Sequence, residues 1–228
     1  MRRQTMLLLM SMAAMVVLVS GVALAQVIEG TDAGETLNGT ENPDLIKAFG
    51  GKDTINAKEA ADDLRGGNGG DFLHGENGND TYYGGSGDDF LSEYSGVTPM
   101  PTTGQGYTGA DVMFGGGGTD WLDGARSDDE LHGGDNPPLS GLVQRENLYG
   151  QTGADKLYGE DGPDYLLGQQ GSDLMSGGAG DDFIDAAATE TPDTPDRVNC
   201  GSGPDEVIAN FNDIVADNCE DVSYVANP

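Results

Sequence analysis

The sequence predicts an elongated repeat domain built on a nine-residue unit, and three observations carry that prediction. Asp71, Asp80 and Asp89 fall nine residues apart within GGNGGDFLHGENGNDTYYGGSGDDFL, residues 66–91. Each follows a Gly by two places and precedes an apolar residue, Leu73, Tyr82 or Leu91, by two. The period matches neither a helix of about 3.6 residues per turn nor a plain alternating strand, so it belongs to a larger repeating unit.

The first residues stand apart from that domain. Arg2 and Arg3 precede an apolar run from Met6 to about Val22, and Ala23-Leu24-Ala25 supplies the small residues a signal peptidase accepts. Residues 1–25 therefore read as a cleaved secretory signal, with an uncleaved N-terminal anchor as the alternative. Removing them takes away two of the ten Lys and Arg and none of the 40 Asp and Glu, leaving 8 minus 40, or −32. Such a charge excludes nucleic acid and anionic membrane as partners and favours cations. An acidic chain with 38 Gly could instead be disordered, but a disordered tail has no reason to keep register.

The register runs far along the chain. Written G-x-x-G-x-D-x-U-x with U apolar, units begin at Gly66, Gly75, Gly84, Gly106, Gly115, Gly150, Gly159, Gly168 and Gly177. Their acids are Asp71, Asp80, Asp89, Asp111, Asp120, Asp155, Asp164, Asp173 and Asp182. Their apolar partners are Leu73, Tyr82, Leu91, Met113, Leu122, Leu157, Leu166, Met175 and Ile184. Weaker units at Glu35, Asp44, Asp53 and Asp62 hold the phase upstream, Asp129 with Leu131 continues the second run, and Glu146 with Leu148 opens the third. Interruptions at 93–105, with Pro99 and Pro101, and at 133–140, with Pro137-Pro138, read as surface loops, since Pro is excluded from a sheet interior. The domain plan is thus a signal at 1–25, degenerate repeats or a cap at 26–65, the repeat body at 66–186 and a C-terminal segment at 187–228.

The full motif G-G-x-G-x-D-x-U-x stands intact at Gly66, Gly84, Gly115 and Gly177. The pattern resembles the hemolysin-type, or RTX, calcium-binding nonapeptide repeat over most of the chain. That resemblance implies an all-β fold, a parallel β-roll in which six residues turn, three form a strand, and two units complete an 18-residue coil. It also implies several calcium ions as cofactor.

The residue types suit that ion. Gly permits positive φ and close backbone approach, so carbonyl oxygens can point between stacked turns. Asp adds carboxylates, and calcium takes about six to eight such oxygens in irregular geometry. The expected ligands are Asp62, Asp71, Asp80, Asp89, Asp111, Asp120, Asp129, Asp155, Asp164, Asp173, Asp182 and Asp205. Pairs one coil apart should share ions: Asp62 with Asp80, Asp71 with Asp89, Asp111 with Asp129, Asp155 with Asp173, and Asp164 with Asp182. His74 and His132 occupy the last unit position and are expected to face solvent, which leaves no zinc-type cluster.

The stretch DRVNCGSGPDEVIANFNDIVADNCEDV, residues 196–222, resumes the register and resembles the C-terminal segment of secreted calcium-binding repeat proteins that carry a Cys pair. Cys200 and Cys219 would then sit on neighbouring coils and bond to each other. A redox pair would need a C-x-x-C spacing that is missing.

For function, the reading is a secreted, non-catalytic protein whose calcium ions couple folding to the extracellular medium. Neither H-E-x-x-H, G-x-S-x-G nor a Walker loop occurs, and no later apolar run could enter a membrane. Two alternatives stay open. One is a calcium-dependent adhesin gripping a cell surface or polysaccharide through outward aromatics such as Phe72 with Phe90, Tyr165 with Phe183, and Trp121. The other is a secreted polysaccharide-active enzyme, which would need longer coils.

Overall fold

The computed structural model describes residues 25–93, 108–135, 145–187 and 194–226. The expected signal therefore lies outside the described residues, apart from Ala25. The described residues form strands and no helix, the strands numbered β1 (Gln26–Glu29) to β20 (Asp221–Val225) in chain order. Odd-numbered strands make one ten-stranded sheet and even-numbered strands another, each in the order of the chain. Within both, neighbours are parallel, so the chain winds as a flattened coil that visits each sheet once per circuit. This is the parallel β-roll that the resemblance to the RTX repeat implied.

The register shows why nine residues suffice for half a coil. Leu64 pairs with Tyr82 and Leu73 with Leu91, each eighteen residues on. Along β3 (Asp44–Gly50), Asp44, Ile46, Ala48 and Gly50 are buried while the residues between them are less so. The inward positions of each unit are thus the Asp, the apolar residue and the small residue that opens the next unit. Ile46, Leu64, Tyr82, Met113, Leu131, Leu157 and Met175 stack as one fully buried row beneath the first sheet. Ile55, Leu73, Leu91, Leu122, Leu148, Leu166 and Ile184 form the matching row beneath the second. Two such side chains per circuit is little apolar burial for eighteen ordered residues.

Insertions leave the stack unbroken. Tyr82 pairs with Met113 across β7 (Thr81–Ser86) and β9 (Val112–Gly117), and Leu122 with Leu148 across β10 (Trp121–Asp123) and β12 (Glu146–Thr152). Glu93 is fully buried, and Gly133 to Asp135 complete β11 (Glu130–Asp135) in register with its neighbours. What remains of the excursions expected at 93–105 and 133–140 lies outside the described residues.

At the C-terminal end Cys200 and Cys219 form a disulfide, with Cα atoms 5.2 Å apart. It ties β17 (Arg197–Ser202) to the segment leading into β20, where the last coil has a neighbour on one side only.

Candidate calcium-binding rows

Each turn places its Asp side chain inside the roll rather than on its rim. Oδ1 accepts the backbone N–H of the Asp one coil earlier: Asp80 from Asp62 at 2.8 Å, Asp89 from Asp71 at 2.7 Å and Asp129 from Asp111 at 2.8 Å. Asp173 accepts from Asp155 at 2.9 Å and Asp182 from Asp164 at 3.0 Å. The same bond crosses the insertions, from Asp80 to Asp111 at 2.6 Å, Asp89 to Asp120 at 2.8 Å and Asp129 to Asp155 at 2.8 Å. Asp205 accepts from Asp182 at 3.0 Å, and its own N–H is accepted by Glu220 Oε2 at 3.3 Å. All twelve acids expected from the sequence lie in these two inward rows, and every pair expected one coil apart is in direct contact.

The second oxygen has a different fate. Oδ2 of Asp62, Asp71, Asp80, Asp89, Asp111, Asp120, Asp129, Asp155, Asp182 and Asp205 is buried with no hydrogen-bond partner. It is aimed at the glycine opening its own unit: a Cβ on Gly84 would come 2.6 Å from Asp89 Oδ2, and one on Gly150 2.5 Å from Asp155 Oδ2. Buried polar atoms are nearly always satisfied, so a whole row of orphaned carboxylate oxygens calls for a partner that is not protein.

Burial, with neighbouring carboxylates adding to it, lifts these acids far from their ordinary 3.8. Asp62, Asp80, Asp120 and Asp182 move to about 7, Asp89 and Asp155 to about 8, and Asp129 to about 9. The backbone N–H on Oδ1 opposes the shift without cancelling it. An array of this kind is held apart by its own charge until a cation or protons neutralise it.

Carbonyl oxygens approach the same rows. Gly69, at φ 132°, takes a conformation closed to other residues, and a Cβ there would collide with the carbonyl oxygen of Gly51 one coil back. Carbonyls at the fourth unit position therefore point along the stack into the gap between coils. Among the described residues no three carboxyl, imidazole or thiol groups converge as a metal site by themselves. An ion here must draw part of its shell from the backbone, which suits calcium, a hard cation that accepts carboxylate and carbonyl oxygens together. Zinc or copper would want His and Cys.

Several residues escaped the sequence reading. Asp44, Asp53 and Asp196 occupy the same inward rows and are buried, their register having been visible but their glycines eroded. Erosion at the second unit position misleads because Lys58, Glu76, Gln151 and Gln169 still adopt φ between 69° and 92° there. Those turns keep their shape against a cost of about 1–2 kcal/mol each. His74 does not face solvent as expected: it is 7% exposed, Nδ1 has no partner, and burial lowers its pKa to about 4. His132 is sandwiched between Phe114 and Tyr158, each 4.8 Å away, and bonded to Glu130 and Glu160.

Stacked coils with inward acid rows and carbonyls between turns define a calcium-binding repeat protein. A family model describing the RTX calcium-binding nonapeptide repeat matches residues 29–62, 56–91, 105–136 and 146–187, and the chain belongs to that family. None of the curated proteins compared with the chain matches it.

Proposed function

We propose that this is a secreted, non-catalytic protein whose inward Asp rows bind several calcium ions and whose fold forms when it meets extracellular calcium. The observation that carries this reading is the row of buried Oδ2 atoms without partners, next to carbonyls in the gaps between coils. The ligands are Asp62, Asp71, Asp80, Asp89, Asp111, Asp120, Asp129, Asp155, Asp164, Asp173, Asp182 and Asp205. Oδ1 fixes the preceding coil, and the Oδ2 of Asp62, Asp71, Asp80, Asp89, Asp120, Asp129, Asp155, Asp182 and Asp205 is left for the ion. Bound calcium supplies positive charge between stacked carboxylates, converting repulsion into attraction.

Extracellular calcium modules bind at about 10⁻⁴ to 10⁻³ M, so the chain stays open before export and closes outside. The disulfide at Cys200 and Cys219 accords with an oxidising compartment. The test is calcium titration of the purified exported chain, following far-UV circular dichroism with ion count by calorimetry. Cooperative gain of β-structure with several ions bound is expected; native-like spectra in excess chelator at neutral pH would overturn the reading.

One observation favours the adhesin alternative as a second role for the loaded rod. Phe72, Phe90, Trp121, Tyr149, Tyr165 and Phe183 form a continuous row along the outer face of the second sheet, with successive ring centroids 5.9, 6.1, 4.8, 6.0 and 5.2 Å apart. Most of these rings stack on one another and turn their edges outward, making an apolar ridge against which the C–H faces of sugar rings can lie. Retention on neutral polysaccharide that requires calcium and is lost in Trp121→Ala would support it; equal flow-through of both proteins would remove it.

A further inference from the structure

Two fully buried glutamates sit where the repeat has no glutamate. Glu93 occupies the position that opens a unit, held by Gly75 one coil before and Gly124 one coil after, and it is fully buried. Glu146 occupies the Asp position between Asp120 and Asp164 and is also fully buried. Neither carboxylate oxygen of Glu146 has a hydrogen-bond partner, and those of Glu93 meet only another carboxyl, that of Asp111, whereas the Asp residues of the rows use Oδ1 to accept a backbone N–H. Glu146 is longer than the Asp of the rows by one methylene, and its Oε2 fills the space a Cβ on Gly133 would need.

Their positions coincide with the two longest insertions. A regular unit takes five steps from its opening residue to its acid, as from Gly84 to Asp89. Glu93 to Asp111 takes eighteen and Gly133 to Glu146 thirteen. Glu93 points among Asp80, Asp111 and Asp129, and Glu146 between Asp120 and Asp164, with no cation of the protein among the neighbours that influence either. Glu93 meets the Asp111 carboxyl, a pairing that needs a proton or a cation between the two groups, and a fully buried carboxylate without a counter-charge is costly enough that a protein retains it only for a ligand or a function.

We propose that Glu93 and Glu146 are calcium ligands, each adding two carboxylate oxygens to the inward Asp rows beside an insertion. This deepens the calcium reading above and rests on it. The shorter insertion from Ala186 to Asp196 takes ten steps and carries an alanine at the inward position, so that turn should show no such extra ligand.

The test compares the exported chain with Glu93→Gln and Glu146→Gln, using calcium alone as the probe. Calorimetry gives the ion count, and far-UV circular dichroism gives the calcium midpoint for folding. Each Gln variant is expected to bind about one ion fewer and to need several-fold more calcium to fold. Glu146→Asp, which restores the repeat's own residue and its N–H bond, should keep the fold and recover the ion. If Glu93→Gln fails to fold, Glu93→Gly restores the repeat's glycine and should fold with one ion missing. An unchanged ion count and midpoint in the Gln and Gly variants would overturn the proposal while leaving calcium binding by the rows intact. Absence of calcium binding by the parent chain would overturn both readings at once.

Discussion

Asp89→Asn separates the two jobs given to the inward acids, because it keeps the shape of the side chain and removes only its charge. Asp89 Oδ1 accepts the Asp71 N–H at 2.7 Å, a bond an asparagine oxygen can also make, while Oδ2 is buried without a partner. Burial, with Asp120, Asp71 and Asp88 adding repulsion, raises this carboxyl from 3.8 to about 8. At pH 7 the calcium-free roll therefore carries a penalty of about 4 kcal/mol for holding one proton that the unfolded chain would release. Asparagine removes that penalty. Burying its amide costs about 1–3 kcal/mol, eased here by the Gly115 carbonyl that lies on the same side of Gly84. The calcium-free variant should consequently be more stable than the parent by roughly 1–3 kcal/mol, although its ion site has lost a charge. Circular dichroism in calcium-stripped buffer from pH 4 to 9 measures the first effect, and calorimetric ion count the second. A variant less stable than the parent without calcium, or one with unchanged calcium binding, would refute the assignment of Oδ2 to an ion.

The remaining expectations follow from the same rows. Acids raised in the folded state stabilise it below their unfolded pKa and lose that stabilisation as pH rises through the folded values. The calcium-free chain should therefore gain β-structure near pH 4 and lose it between about pH 6 and 9, with calcium abolishing the transition. Leu122→Ala empties a fully buried place in the second apolar row and should lower holo stability by about 2–5 kcal/mol in chemical denaturation, without changing the ion count. Reducing the disulfide, whose Cys residues are 19 apart, should remove about 3 kcal/mol. Hydrogen exchange should show that loss confined to residues 196–225, leaving the coils before Asp182 protected.

Much of this molecule is written locally. The spacing of Asp71, Asp80 and Asp89 marked a nine-residue unit, the RTX resemblance made that unit half a coil, and the apolar partners marked which face is the core, because a parallel stack repeats the same inward positions in every circuit. The Cys pair was legible for the same reason: a separation of 19 residues is close to one coil, and the Cα atoms lie 5.2 Å apart. What sequence spacing could not fix was partnership across insertions. Asp80 meets Asp111 thirty-one residues on and Asp129 meets Asp155 twenty-six on, since the sheets, rather than the count along the chain, choose the neighbour. Nor could spacing reveal that Lys58 or Gln169 would hold a glycine-like turn, because the surrounding coils impose that conformation. Burial of His74, Glu93 and Glu146 is likewise a property of the stack. The sequence alone determined the repeating unit and its chemistry, which depend on contacts within nine residues. Only the tertiary structure decided which carboxylates are left without partners, because that depends on coils brought together from across the chain.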